Sequence, residues 1–190
     1  MKMEKKFSDL MVDLETLSLD LSATIIQIGA VEFDIKNGKI GQIFVMQVSA
    51  EDCESHGMTT DTETLEWWMR QGEKILDLVT NDQKSLKFAL DSFSYFCLQG
   101  SYERIWSNPG HFDFPILRNA YSKYPRGSKE DYYGIPWNHK NQRCLKTLLD
   151  MGDVTYDSVP FKGIKHYAPD DCLWQIELAT LAYQQVKFEK

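Results

Sequence analysis

Five side chains have the types and spacing for chemistry on an oxygen-rich substrate: Asp13 and Glu15 in "LMVDLETL", Asp113 in "SNPGHFDF", and His166 with Asp171 in "KHYAPDD". In an extended strand alternate side chains share a face, so Asp13 and Glu15 would stand side by side, roughly 7 Å apart along the backbone. Two carboxylates so placed repel, and burying both is costly unless a cation or a proton is shared between them. A histidine near them would add a base that titrates close to neutrality. Each feature alone has a plain reading. A D-x-E can be a strand end whose polar side meets water, Asp at a helix start is ordinary capping, and a single histidine is more often a surface or satisfied one.

The elements that must position these residues follow from pattern. The apolar run before Asp13 predicts a strand. "IIQIGAVEFDI" and "KNGKIGQIFVMQVS" predict two antiparallel strands joined at Asn37-Gly38, a dipeptide suited to a primed turn with positive φ angles. "TDTETLEWWMRQ" predicts a short helix capped by Thr60 or Asp61, with Leu65, Trp68 and Met69 at helical spacing. In "SLKFALDSFSYFCL", Leu86, Leu90, Phe93 and Phe96 or Cys97 predict the inner face of an amphipathic helix. "RIWSNPGHFDFPILRNAYSKY" predicts a short strand, a Pro-Gly loop and a helix from about Phe112, which places Pro115 in its first turn.

The segment 124–141, broken by Pro125, Gly127, Gly134 and Pro136, predicts an ordered surface loop. A helix is expected from about Arg143 to Met151. A last one is capped by Asp170, with Cys172, Ile176, Ala179 and Tyr183 on one face. Strands first and helices interleaved later predict an α/β domain on a mixed sheet. In this reading Asp13 and Glu15 end a strand, while Asp113 and Asp171 open helices.

Composition narrows the function classes. With 190 residues, 43% hydrophobic and 26% charged, the sequence reads as one soluble globular domain spanning 1–190. The lysine-bearing start has Asp9 and Asp13 interrupting its apolar stretch and lacks a small-residue cleavage site, so no secretory signal is expected. No apolar run approaches a membrane span. The four cysteines, Cys53, Cys97, Cys144 and Cys172, form no C-x-x-C pair, which fits a reducing, cytoplasmic setting. A formal charge of −7 argues against duplex binding by broad counterion release. Binding through divalent cations held by acids stays open.

The three acidic motifs, in this order, resemble those of the DEDD exonucleases, in the branch with a catalytic histidine that includes ribonuclease T and proofreading exonuclease domains. The family's D-x-E is matched by Asp13 and Glu15. Its Asn, aromatic and Asp are matched by Asn108, Phe112 and Asp113, and its His, four residues and Asp by His166 and Asp171. "TLEWWMRQ", "FDFPIL" and "WNHKNQR" are most similar to exonuclease A of T-even phages and small bacterial exonucleases like it. The likeness covers nearly the whole chain. One departure is Arg143-Cys144, where relatives in this subgroup usually have Arg-Asp.

The resemblance implies a ribonuclease H-like fold, a central mixed sheet flanked by helices, and 3'-5' exonuclease activity on nucleic acid, DNA before RNA. It implies Asp13, Glu15, Asp113 and Asp171 as ligands of two Mg2+ or Mn2+ ions and His166 as general base. It further implies contacts of Thr16, Leu17, Asn108 and Phe112 with the terminal nucleotide, and pairing into a homodimer. Of Trp67 and Trp68, about 100° apart on a helix, one should face the core and the other the groove. Lys162 and Lys165 are candidates for steering the phosphate backbone. Two other functions compete: a binding module that keeps the fold without the chemistry, and a glycosidase using paired carboxylates, which has no use for the His166 to Asp171 spacing.

Overall fold

A computed structural model describes residues 7–124 and 135–186. Five strands form one mixed sheet in the order β3-β2-β1-β4-β5: β1 (Asp9–Thr16), β2 (Ile25–Asp34), β3 (Lys39–Gln47), β4 (Arg104–Ser107) and β5 (Gln142–Cys144). β1 to β3 are an antiparallel meander, whereas β4 runs parallel to β1, and β5 parallel to β4. The seven helices of the described residues are α1 (Ala50–Ser55), α2 (Thr62–Met69), α3 (Glu73–Thr80), α4 (Leu86–Gln99), α5 (Gly110–Ser122), α6 (Leu145–Met151) and α7 (Ala168–Gln185).

β1 is buried along its whole length, because it sits in the middle of the sheet with helices on both faces. Leu10, Val12 and Leu14 face a core made with Leu90 and Phe93 of α4 and Ile116 and Leu117 of α5. The alternate residue Met11 faces the opposite core, with Leu145 and Leu149 of α6 and Cys172, Ile176 and Ala179 of α7. Asp9, Asp13 and Glu15 share Met11's side by the two-residue period of a strand. A third cluster, Leu17, Ile26, Trp68, Ile75 and Val79, closes the end of β1 beneath α2 and α3.

Several sequence expectations shift by specific causes. The β2–β3 hairpin forms, but its turn is not the primed type. Only Gly38 takes a positive φ, +70°, and its N–H donates to Asp34 O at 2.8 Å while the Asp34 carboxylate accepts from Lys36 and Asn37. Helix α5 begins at Gly110 rather than Phe112, so Pro115 is its sixth residue and gives no N–H to the His111 carbonyl. Gln142–Cys144 pair with β4 as a strand, leaving α6 to begin at Leu145.

Helix α7 begins at Ala168 behind Tyr167, so Asp170 is not its cap. Its carboxylate instead accepts Ile164 N–H at 2.8 Å. α1 and α3 were not foreseen: each is short, and α3 declares itself only by Ile75 and Val79, one turn apart and buried. Of the expected loop 124–141, residues 125–134 lie outside the described residues. Its end forms a short 3-10 turn, His139–Asn141.

Candidate active site

Four carboxylates from three separate segments converge at the carboxyl end of β1. Asp13 and Glu15 come from the strand itself, Asp113 from the first turn of α5, and Asp171 from the first turn of α7. Asp113 Oδ1 accepts Leu14 N–H at 3.2 Å, which ties α5 to the strand between the two acids. Asp171 Oδ2 accepts His166 N–H at 2.7 Å, and one ligating atom each from Glu15, His166 and Asp171 lies within 4.8 Å of the other two.

The approach of α7 depends on Gly29, opposite Asp13 on β2: a Cβ there would lie 2.6 Å from Ala168 Cβ and 2.8 Å from its carbonyl carbon. Buried Gln27, opposite Glu15, holds the same turn, accepting Ala168 N–H at 2.8 Å. His166 itself adopts φ +65°, a left-handed conformation that turns the chain sharply into α7.

The acids are uncompensated. Among the described residues no lysine or arginine forms an ion pair with any of the four, whereas Asp9, on the same strand, pairs with Arg104. Burial, and then the charges of Asp113 and Asp171, push the Asp13 carboxyl well above the usual range. Burial and the neighbouring Asp13 do the same to Glu15. Burial raises Asp113 to about 7 and Asp171 to about 6. His166 moves down, through burial and the adjacent Lys165, so its ring is neutral at neutral pH.

Asp113 Oδ2 is buried with no hydrogen-bond partner. An oxygen-rich cluster that is buried, lacks cations and holds an orphan carboxylate oxygen has the donor chemistry of a hard divalent cation site.

A family model described as the 3'-5' exoribonuclease Rv2179c-like domain matches residues 8–183. The chain belongs to this family. Solved structures share the ribonuclease H-like fold of this exonuclease domain. They include E. coli exonuclease I in complex with a 5cy-dA13 oligonucleotide (TM-score 0.63, 14% identity, 95% of this chain and 41% of that one). S. pombe Pop2p in its Mg2+- and Mn2+-bound form aligns over 97% of this chain and 87% of its own (TM-score 0.59, 14% identity). Exonuclease X in complex with 5' overhanging duplex DNA aligns over 94% and 96% (TM-score 0.54, 14% identity). The chain thus spans less than half the length of exonuclease I. Comparison with curated proteins gives no significant match.

Around the acids of this exonuclease domain, the expected contact residues fall out unevenly. A recess of about 670 Å3 beside Glu15 is lined by Thr16, Leu19, Trp67 and Phe112. Thr16 contributes little of its hydroxyl, which donates to Ser18 O at 2.8 Å. Leu17, expected to contact the terminal nucleotide, does not line the recess: it is 9% exposed, packs in the third core cluster, and its N–H donates to Thr24 O. Leu19, 75% exposed, occupies the recess in its place. Asn108 Oδ1 accepts Tyr156 O–H at 2.8 Å.

The tryptophans divide as expected. Trp68 is buried and its Nε1 donates to Thr16 O at 2.9 Å, while Trp67, 39% exposed, stands edge-on to His166 with centroids 4.7 Å apart. Lys162 is bound to Glu177 at 3.0 and 3.1 Å, which leaves Lys165 beside the cluster.

Two features answer questions that the sequence leaves open. Buried Gln175, one turn after Asp171 on α7, donates through Nε2 to Asp13 Oδ1 at 2.7 Å. The only sequence signal for it is that four-residue spacing on the inner face of the helix. At the Arg143-Cys144 departure, Cys144 Sγ accepts Gly110 N–H at 3.5 Å, so the sulfur satisfies the first amide of the helix that carries Asp113.

Proposed function

We propose that this domain hydrolyses the terminal phosphodiester at the 3' end of single-stranded nucleic acid, releasing nucleoside 5'-monophosphates, with Asp13, Glu15, Asp113 and Asp171 holding two Mg2+ or Mn2+ ions and His166 acting as general base. The observation that carries this reading is the convergence of four carboxylates without a paired cation, Asp13, Glu15 and Asp113 buried and Asp171 half-buried, beside an imidazole whose pKa is lowered. When bound, the divalent ions neutralise the acids and stabilise negative charge that develops at the scissile phosphate. Asp13 and Glu15 supply oxygens from one strand face, Asp113 supplies its unpartnered Oδ2, and Asp171 supplies the carboxylate that also fixes the His166 backbone.

His166 takes the proton from the attacking water. Its lowered pKa keeps the ring neutral, and so able to accept, at neutral pH. Trp67 borders that ring and holds its plane from one side. The recess formed by Leu19, Trp67 and Phe112 takes the terminal nucleoside, whose base can stack on an aromatic face.

The family's description makes RNA the first substrate to consider. DNA is the second reading, favoured by the likeness to exonuclease A of T-even phages and by neighbours solved with DNA. The test is a product ladder from 5'-labelled single strands of RNA and DNA, with Mg2+, Mn2+ or chelator. Stepwise shortening from the 3' end, abolished by chelator and by His166→Ala while direct Mn2+ binding persists in that variant, is the expected result. Metal-independent cleavage, or internal cuts, would overturn it. Cytoplasmic location is part of the same proposal, consistent with the free cysteines.

A further inference from the structure

A second recess, of about 630 Å3, is bounded by His166 and Asp171 and by Tyr156, Phe161, Lys165 and Trp174. Its floor is aromatic. The Trp174 ring lies 5.7 Å from Tyr156 at an interplanar angle of 30°, and 5.6 Å from Phe161 at 59°. Trp174 follows Asp171 by three residues on α7, so the floor begins one helical turn from the acids. Nothing in the hydrolytic chemistry uses these rings, yet they are held in place. Trp174 Nε1 donates to Val159 O at 2.9 Å, and Tyr156 O–H to Asn108 at 2.8 Å. Lys165 sits above the shelf, 6.0 Å from the Phe161 centroid.

We infer that this aromatic shelf binds the nucleotides upstream of the scissile bond, stacking unpaired bases on Tyr156, Phe161 and Trp174 with Lys165 at the phosphate. The inference rests on the proposed 3'-5' exonuclease function. A 3' end has only one nucleotide beyond the last phosphodiester, and the Trp67 recess takes it. A second nucleotide-sized recess, bordering Asp171 of the acidic cluster where the first borders Glu15, is therefore left for the strand behind it. Charge favours stacking over a basic track as its means of attachment. The chain carries a net −7, Lys162 is tied to Glu177, and Asp157, which lines the recess together with Asp171, accepts a hydrogen bond from Thr155. Bases can reach such a shelf only when unpaired, so it selects single strands; every base has a π-face, so it tolerates any sequence.

The experiment compares kcat/KM on a decanucleotide and a dinucleotide. Phe161→Ala should lower the ratio of the two by about 10-fold, and Phe161→Tyr should restore it. Lys165→Gln should reduce the slope of log affinity against log salt by about 0.7, the value for one phosphate contact on a single strand. Independently of turnover, a decanucleotide with 4-thiouridine at the third position from its 3' end should photo-crosslink to Tyr156 or Phe161 in chelator.

A wild-type enzyme that shortens both substrates while Phe161→Ala leaves their ratio unchanged overturns the shelf and spares the nuclease. Crosslinks confined to the Trp67 side overturn the shelf as well. Crosslinks at Phe161 without any hydrolysis support the shelf and overturn the nuclease reading.

Discussion

Replacing Gln175 by Leu tests whether the acidic cluster is tuned by a neutral donor. The change nearly conserves volume and removes the Nε2 to Asp13 Oδ1 hydrogen bond of 2.7 Å, in a position that is 3% exposed. A hydrogen bond to an ionised group contributes about 1.5–3 kcal/mol. It acts only on the charged carboxylate, so its loss drives the Asp13 pKa further up, in the direction burial already pushes it. Cation binding requires the carboxylate, and the lost stabilisation should reappear as metal affinity weakened about 10- to 100-fold, the usual range for a residue that orients a ligand.

The fold should suffer little. Gln175 Oε1 is itself buried without a partner, and removing that group offsets part of what the hydrogen bond gave. The assay is Mn2+ titration by calorimetry and, in parallel, by activity, with the melting temperature recorded in chelator. Weak affinity with a near-normal melting temperature is expected, and activity should return at high Mn2+. Gln175→Glu, which places a fifth carboxylate against Asp13, should lose more than Leu does. Mn2+ affinity within twofold of wild type in Gln175→Leu would refute the reasoning.

The raised acids make a pH prediction. Asp113 and Asp171 titrate in the folded protein near 7 and 6, above their ordinary values, so the stability they favour is complete below about pH 4 and is lost as pH rises through 6 and 7. In chelator the melting temperature should fall from pH 5 to pH 8, less steeply in Asp113→Asn; equal slopes would count against the electrostatic account. Saturating Mg2+ should flatten the wild-type slope, because cations replace the protons. Cys144→Ala leaves the Gly110 amide without its acceptor and should cost about 1 kcal/mol in urea denaturation, whereas Cys144→Asp should match wild type. Gly29→Ala pushes a methyl to within 2.8 Å of the α7 backbone and should cost about 1–3 kcal/mol, with activity falling as the His166 turn is displaced; an unchanged melting temperature would show that α7 can move away freely.

The parts of this molecule readable from sequence are those set by local periodicity. The alternation in β1 announced that Asp13 and Glu15 share a face, and the apolar spacing of α4 and α7 announced their buried sides. What escaped depends on tertiary partners. Gln142–Cys144 have no strand signature of their own and become a strand because β4 offers an edge to pair with. Leu17 and Leu19 are chemically the same and two residues apart. Only the fold of α2 and α3 over the end of β1 decides that the first enters the core and the second lines the recess. The aromatic shelf was invisible for the same reason, since Tyr156, Phe161 and Trp174 come from two segments whose packing no local pattern specifies.

One strand shows two solutions to the same physical problem. Asp9 and Asp13 are both buried on β1, four residues apart and facing the same side. Asp9 is compensated from within: Arg104 Nη2 donates to Oδ2 at 2.8 Å, Trp106 Nε1 donates to Oδ1 at 2.9 Å, and the pair joins β1 to β4. Asp13 receives a neutral amide and three acidic neighbours. A protein selected only for stability would treat both alike, because a buried carboxylate without a cation is costly. The contrast locates function at the carboxyl end of the strand, and it separates the two ends experimentally. Arg104→Met should strand a buried charge and destabilise the fold by about 3–5 kcal/mol whether or not Mg2+ is present. Asp13→Asn should stabilise the protein in chelator, by removing one of four repelling acids, while abolishing both hydrolysis and the gain in melting temperature on adding Mg2+. If Asp13→Asn instead destabilises the metal-free protein as Arg104→Met does, the carboxylate is a structural element and the cluster is not built for cations.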